Sequence, residues 1–186
     1  MLLRIKNMVC NRCKMVVKAE LEKLGFNPIS VELGEVELLQ DIGETAKTQI
    51  DQSLRIYGFE LLENKKEQMA SLIKSAIISL VHYNEEALKI NLSVYLSQKL
   101  NIEYNQLSNI FSEVENQTIE KYFIAQKIEK AKEMLNYGDL TLSEIAYQLN
   151  YSSVAHLSAQ FKKVTGLTPS VYKTQTADKR KTLDEI

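Results

Sequence analysis

Hydrophobic and polar positions change period once along this chain. From Leu2 to Met8 they alternate, and short apolar-rich runs return at Ile29 to Leu33, Val36 to Leu39 and Phe59 to Leu62, which predicts four short strands. Two helical stretches lie between them. Cys13 to Leu24 sets Met15, Val16, Ala19, Leu21 and Leu24 on an approximate 3.6-residue stripe, with Gly25 as its stop. Glu44 to Tyr57 is the second, closed by Gly58, and Gly34-Glu35 joins the middle strands as a two-residue hairpin. The order βαββαβ predicts an α+β domain over residues 1–63: an antiparallel sheet with both helices on one face.

Past the polar junction Asn64-Lys65-Lys66-Glu67 the period becomes helical and stays so. Met69, Leu72, Ile73, Ala76, Ile77, Leu80 and Val81 mark one face. This predicts an all-α domain over residues 64–174 and a polar, disordered tail over 175–186. The helical part repeats itself. Leu107, Ser108, Phe111, Val114, Thr118 and Tyr122 recur 50 residues later as Leu157, Ser158, Phe161, Val164, Thr168 and Tyr172, and Leu100-Asn101 recurs 49 residues later as Leu149-Asn150. Two copies of a helix-turn-helix unit, over 91–115 and 141–165, account for this. Asn91 is placed to cap the first copy, and Thr141 with Glu144 forms a capping box for the second. Asn150 ends the first helix of the second copy in a turn of a kind that often needs positive φ, which Asn tolerates, and Gly166 closes the last helix of the copy. Between the copies, Ile119 to Leu135 reads as one amphipathic helix with Ile124, Ile128, Ala131 and Leu135 along its stripe. Such a connector would hold the second helix of each copy at a fixed separation, as two major grooves about 34 Å apart require.

Composition bounds the chemistry. With 186 residues, 45% hydrophobic and 25% charged, and with six glycines and two prolines, the chain can fold and favours helix. No run of roughly 18 apolar residues is present, so no membrane span is expected, and the first residues lack the apolar core of a signal peptide; a cytoplasmic protein is the expectation. The net charge of -1 argues against a uniformly basic nucleic-acid binder. Local charge differs: no Asp or Glu lies between Glu144 and Asp178, a stretch that holds Lys162, Lys163 and Lys173. No nucleophile–base set, phosphate loop or carboxylate pair is legible, and His82 and His156 are the only histidines, so an enzyme is not expected.

Cys10 and Cys13 are the only cysteines, in the sequence Met8-Val9-Cys10-Asn11-Arg12-Cys13 between a strand and a helix. Amides and dipole at a helix start favour thiolate, and Arg12 and Lys14 add positive charge. Two thiolates without His or carboxylate suit a two-coordinate soft ion such as Cu(I); Zn would require further ligands, as from a second subunit. The same spacing also describes a redox-sensing dithiol, or two ordinary cysteines without metal. MVCNRC at this junction, with Tyr57-Gly58-Phe59 before the last strand, resembles the heavy-metal-associated domain of copper chaperones and metal-exporting ATPases. That resemblance covers about residues 1–63 and implies a ferredoxin-like fold, Cys10 and Cys13 as metal ligands, Met8 packed beneath the loop and Phe59 near the site. Asn7 departs from it, standing where a small Gly often precedes the Met.

IEKAKEMLNYGDLTLSEIAYQLNYSS, followed by FKKVTGLTPSVYK, resembles the AraC/XylS-type DNA-binding domain over about residues 70–174. The resemblance implies seven helices and transcription control through double-stranded DNA. Asn150 replaces the family's common turn Gly, and Tyr151 its common Phe. Base-contacting positions fall by the resemblance on Val154, Ala155, His156 and Ala159, the last often Arg in the family. Ser152, Ser153, Ser158, Lys162 and Lys163 offer phosphate contacts. The first copy presents Tyr104, Asn105, Gln106 and Asn109, of which Asn and Gln can read adenine. Its Ser112-Glu113 stands in place of Lys162-Lys163, so Glu113 and Glu115 are expected to repel phosphate. Three readings follow: a metal-responsive transcription regulator, a metal chaperone or buffer whose helical domain binds protein, and a thiol redox-sensing regulator. The apolar face from Met69 leaves a homodimer open.

Overall fold

The computed structural model describes residues 1–83, 90–137 and 139–174, and the tail expected over 175–186 lies outside them. Strands β1 (Leu2–Lys6), β2 (Pro28–Glu32), β3 (Glu35–Leu38) and β4 (Glu60–Leu61) form one small sheet in the order β2-β3-β1-β4, every neighbour antiparallel. Helices α1 (Asn11–Lys23) and α2 (Glu44–Arg55) interleave with them in the predicted sequence of elements. The period of two places Leu3, Ile5, Val36 and Leu38 in a core with Val17, Leu21, Ile50 and Leu54. Each such side chain contributes about 1.5–3 kcal/mol of burial.

Three local expectations need correction. The inner face of α1 is Val17, Glu20 and Leu21, with Cys13 and Val16 packed against the core, whereas Met15 is 70% exposed and Ala19 faces solvent. Glu20 hid this phase: its carboxylate lies on the buried side, where it accepts from Ser53 Oγ (2.8 Å) and Tyr57 Oη (3.0 Å). The hairpin turn is Leu33-Gly34, because Glu32 pairs with Glu35. Gly34 has φ +82°, and a Cβ there would meet Ser75 Oγ at 2.9 Å. Last, β4 keeps only two residues: the Phe59 amide donates to the Leu54 carbonyl at the end of α2 (3.1 Å) instead of to the ladder.

Seven helices follow among the described residues: α3 (Lys65–His82), α4 (Leu92–Leu100), α5 (Tyr104–Glu115), α6 (Ile119–Tyr137), α7 (Leu142–Gln148), α8 (Val154–Thr165) and α9 (Pro169–Thr174). The polar junction begins α3, with Asn64 Oδ1 accepting from the Lys66 amide at 2.8 Å. The described chain gathers into two compact units, one of Met1–Ser75 with Asn105–Asn116 and one of the remainder, so α3 contributes to both. In the second unit Ile128, Ala131 and Leu135 of α6 pack with Ile145, Leu149, Leu157, Phe161 and Tyr172. No helix of the described residues is long and apolar enough to cross a membrane.

The repeat is written in the backbone. Asn101 and Asn150 turn left-handed at φ 53° and 52°, and Asn116 and Gly166 do so at 53° and 79°. Asparagine and glycine are the residues that bear this conformation at least cost. Caps match the sequence. Asn91 accepts from Ser93 N, Thr141 and Glu144 form the full capping box, and Ser153 accepts from His156 N.

Candidate functional site

Helix α8 carries the second copy's candidate surface. Its apolar side, Leu157 and Phe161, is fully buried, which turns Ala155, His156, Ala159, Lys162 and Lys163 outward. Ser152 and Ser153 at its start are exposed, while Val154 and Ser158 are half-buried. Both lysines occupy the last turn, where cations also complement the helix dipole. The lysine-bearing end is therefore exposed among the described residues.

Behind α8 lies a group of side chains that sequence reasoning missed. Lys127 of α6 sits with Nζ 3.8 Å from the centroid of the Tyr151 ring and 5.3 Å from that of Phe123. Burial pushes its ammonium down to about 8, while the ring faces favour the cation. Tyr151 meets His156 edge to face, centroids 5.2 Å apart. Its hydroxyl is buried without a partner among the described residues, and burial holds that phenol well above the ordinary tyrosine range. The position reads only as an apolar turn residue in sequence, and nothing local ties it to Lys127.

Helix α5 of the first copy repeats the burial pattern of α8 with different chemistry. Leu107 and Phe111 are buried; Asn105, Gln106 and Asn109 are exposed. Tyr104 is half-buried, and its hydroxyl donates to Glu120. Glu113 and Glu115 do not stand as unopposed charges. Lys66 Nζ reaches both Glu113 oxygens (2.5 and 2.7 Å), and Lys74 Nζ lies 3.2 Å from Glu115 Oε2. Nearly fifty residues separate Lys66 from Glu113, so no local spacing announces this pairing.

The cysteines lie where strand passes to helix. Cys10 is the N-cap of α1, Cys13 is in its first turn, and the two sulfurs are 3.2 Å apart, both free thiols. Burial raises the Cys10 thiol, but hydrogen bonds from Cys13 and from the Cys13 and Arg12 amides outweigh it, so Cys10 titrates lower than usual. Cys13 moves the other way: burial and its bond to Cys10 raise it. The helix start therefore favours thiolate at one sulfur only. Met8 is 2% exposed and packs in the same core as Phe59 and Cys13. Lys14 is engaged with Glu32 at 2.9 Å. Asn7 adopts φ 69°, the conformation a Gly would favour, and its Nδ2 donates to the Gly58 carbonyl at 2.9 Å. No cluster of three or more His, Cys, Asp or Glu occurs among the described residues. The donor set is thus two thiols, which fits a two-coordinate soft ion and not a closed zinc site within one chain.

A family model described as a helix-turn-helix domain matches residues 96–175. Among curated proteins, the chain is similar to the xylose operon regulatory protein of Escherichia coli K12, 27% identical over 124 residues, which make up 66% of this chain and 31% of that protein. The chain thus spans less than a third of that relative's length. Among solved structures, the C-terminal domain of AraT, a response regulator from Geobacillus stearothermophilus, matches with a TM-score of 0.51 at 18% identity, covering 64% of this chain and 94% of that one. A transcriptional regulator from Chromobacterium violaceum, described by its AraC-type DNA-binding domain, matches with a TM-score of 0.50 at 18% identity, covering 59% and 96%. At these identities the structural likeness speaks for the fold.

Proposed function

We propose that this protein is an AraC-type DNA-binding transcription regulator whose activity answers to a thiophilic metal ion held by Cys10 and Cys13, the helix-turn-helix match over residues 96–175 supporting the first part. The exposed Lys162-Lys163 end of α8 is the observation that carries the DNA-binding part. Phosphates are met by these lysines and by the hydroxyls of Ser152 and Ser153; base edges are met by the outward residues of α8 and by Asn105, Gln106 and Asn109 of α5.

The metal-responsive part rests on the thiol pair at the N-terminus of α1; the βαββαβ order with strands β2-β3-β1-β4 supports a ferredoxin-like reading of that region. Cys10 and Cys13 would hold such an ion through their thiolates, and the ion would supply soft-ligand chemistry there. Cys10, with its lowered pKa, loses its proton first, and Met8 in the core keeps the loop seated. Sensing requires the ion to bind two conformations unequally.

Metal analysis of anaerobically purified protein tests the ligands. One equivalent of metal is expected for the native sequence and none for the Cys10→Ser, Cys13→Ser double variant; metal retained by the variant rules the ligands out. DNA affinity measured across salt concentrations, with and without Cu(I), tests the rest. A steep loss of affinity with salt marks a phosphate-contacting regulator. Negligible DNA binding at every salt concentration would instead leave a metal carrier with a protein-binding domain.

A further inference from the structure

Base readout by the second copy comes down to one side chain. Of the four positions marked on α8, Val154, Ala155 and Ala159 have no hydrogen-bonding group, and only His156 does. Its ring is held from several sides. Nδ1 lies 3.0 Å from the Ser152 hydroxyl, the Tyr151 ring meets it at 90°, and its backbone amide donates to Ser153 Oγ at 3.1 Å. Nε2 has no partner among the described residues, and the residue is exposed. Tyr151, only 8% exposed, is itself backed by the Lys127 ammonium on its ring. A side chain gripped in this way gives up little rotamer freedom on contacting a base, because folding has already ordered it.

We propose that His156 is the specificity-determining residue of the second copy, reading guanine through Nε2, and that Lys127 and Tyr151 are positioning residues that set the angle of its ring. This rests on the regulator reading above. The choice of base follows from where the protons go. Ser152 Oγ is taken as the donor to Nδ1 across their 3.0 Å contact, one of the two tautomers that this contact accommodates. Nε2 of the neutral ring then carries the N–H, and a protonated ring carries one there as well. A donor at that place matches guanine, whose major-groove edge shows two acceptors, N7 and O6; adenine sets a donor beside its N7, and cytosine shows a donor.

Selection from duplexes randomised over about 20 base pairs, room for two half-sites, tests this with the full chain. The native protein is expected to enrich a site with one guanine favoured by about fivefold to tenfold, less than a bidentate pair gives. His156→Ala abolishes that preference and leaves the other positions intact. Lys127→Met and Tyr151→Leu each weaken it at the same position, whereas Lys127→Arg and Tyr151→Phe, which keep cation and ring, retain it. Thermal unfolding of each variant separates misfolding from misplacement, since lost stability lowers binding to all sequences alike. An enriched site unchanged in His156→Ala, or adenine or cytosine at the dependent position, overturns the proposal and leaves the regulator reading standing. An unaltered preference in folded Lys127→Met and Tyr151→Leu overturns the positioning role. A native selection that enriches no sequence overturns both readings.

Discussion

Helices α5 and α8 share a pattern of burial and carry opposite charge. From Tyr104 to Phe111 and from Val154 to Phe161, burial runs identically position by position, and each copy ends its helices on left-handed corners. The difference begins at the last turn. Lys162 and Lys163 of α8 face solvent, whereas Glu113 at the corresponding place in α5 is bound to Lys66, and Glu115 to Lys74. What repeats is what folding needs; what diverges is what solvent, or DNA, would see. Paired with lysines, the acidic residues of α5 would repel phosphate less than their bare charge suggests, although an exposed pair such as Lys66–Glu113 contributes little to stability.

If the copies are equivalent in packing, truncating their central rings has the same cost. Phe111→Ala and Phe161→Ala should each lose about 3–5 kcal/mol in urea unfolding, both rings being fully buried; a loss confined to one copy would break the equivalence. Charge should separate them. Lys162→Glu with Lys163→Glu is expected to lower DNA affinity by about 100-fold at moderate salt and to flatten the salt slope by about two, read by fluorescence anisotropy. Glu113→Lys should raise affinity by less than about tenfold, because Lys66 already offsets that charge. Equal and opposite effects would mean that α5 engages phosphate as closely as α8. The smallest effect concerns the corners. A Cβ added at Gly166 would meet nothing within 4 Å, so Gly166→Ala carries only the backbone cost, about 1–2 kcal/mol. Gly166→Asn should cost less in thermal unfolding, because Asn116 already fills the matching corner.

Features set by neighbours in sequence were legible from the chain alone. Asn91, the Thr141–Glu144 box, Asn150 and Gly166 act on residues within a turn of themselves, and their roles follow from residue type. The strand and helix order of the first 63 positions was legible for the same reason, down to the period. Features made by distant partners were not. Glu20 looks like a solvent residue until Ser53 and Tyr57, 33 and 37 residues on, close over it, and that misplaced the stripe of α1. Lys127 reads as an ordinary helix lysine until Tyr151 is brought beneath it. The thiol pair was visible as a motif, but the opposite displacement of its two pKa values depends on which sulfur caps α1 and which donates within the pair.

The left-handed asparagines also determine how the folded chain ages. Asn7, Asn101, Asn116 and Asn150 hold corners that no β-branched residue would tolerate. Asparagine deamidates when the next residue's backbone nitrogen attacks its side-chain amide, a reaction fastest before glycine. Here Met8, Ile102, Gln117 and Tyr151 follow, and their side chains shield that nitrogen. The corners therefore combine conformational tolerance with chemical durability. Where hydrolysis does win, at Asn150, it would insert a methylene and a negative charge one residue before Tyr151, at the left-handed corner that precedes α8.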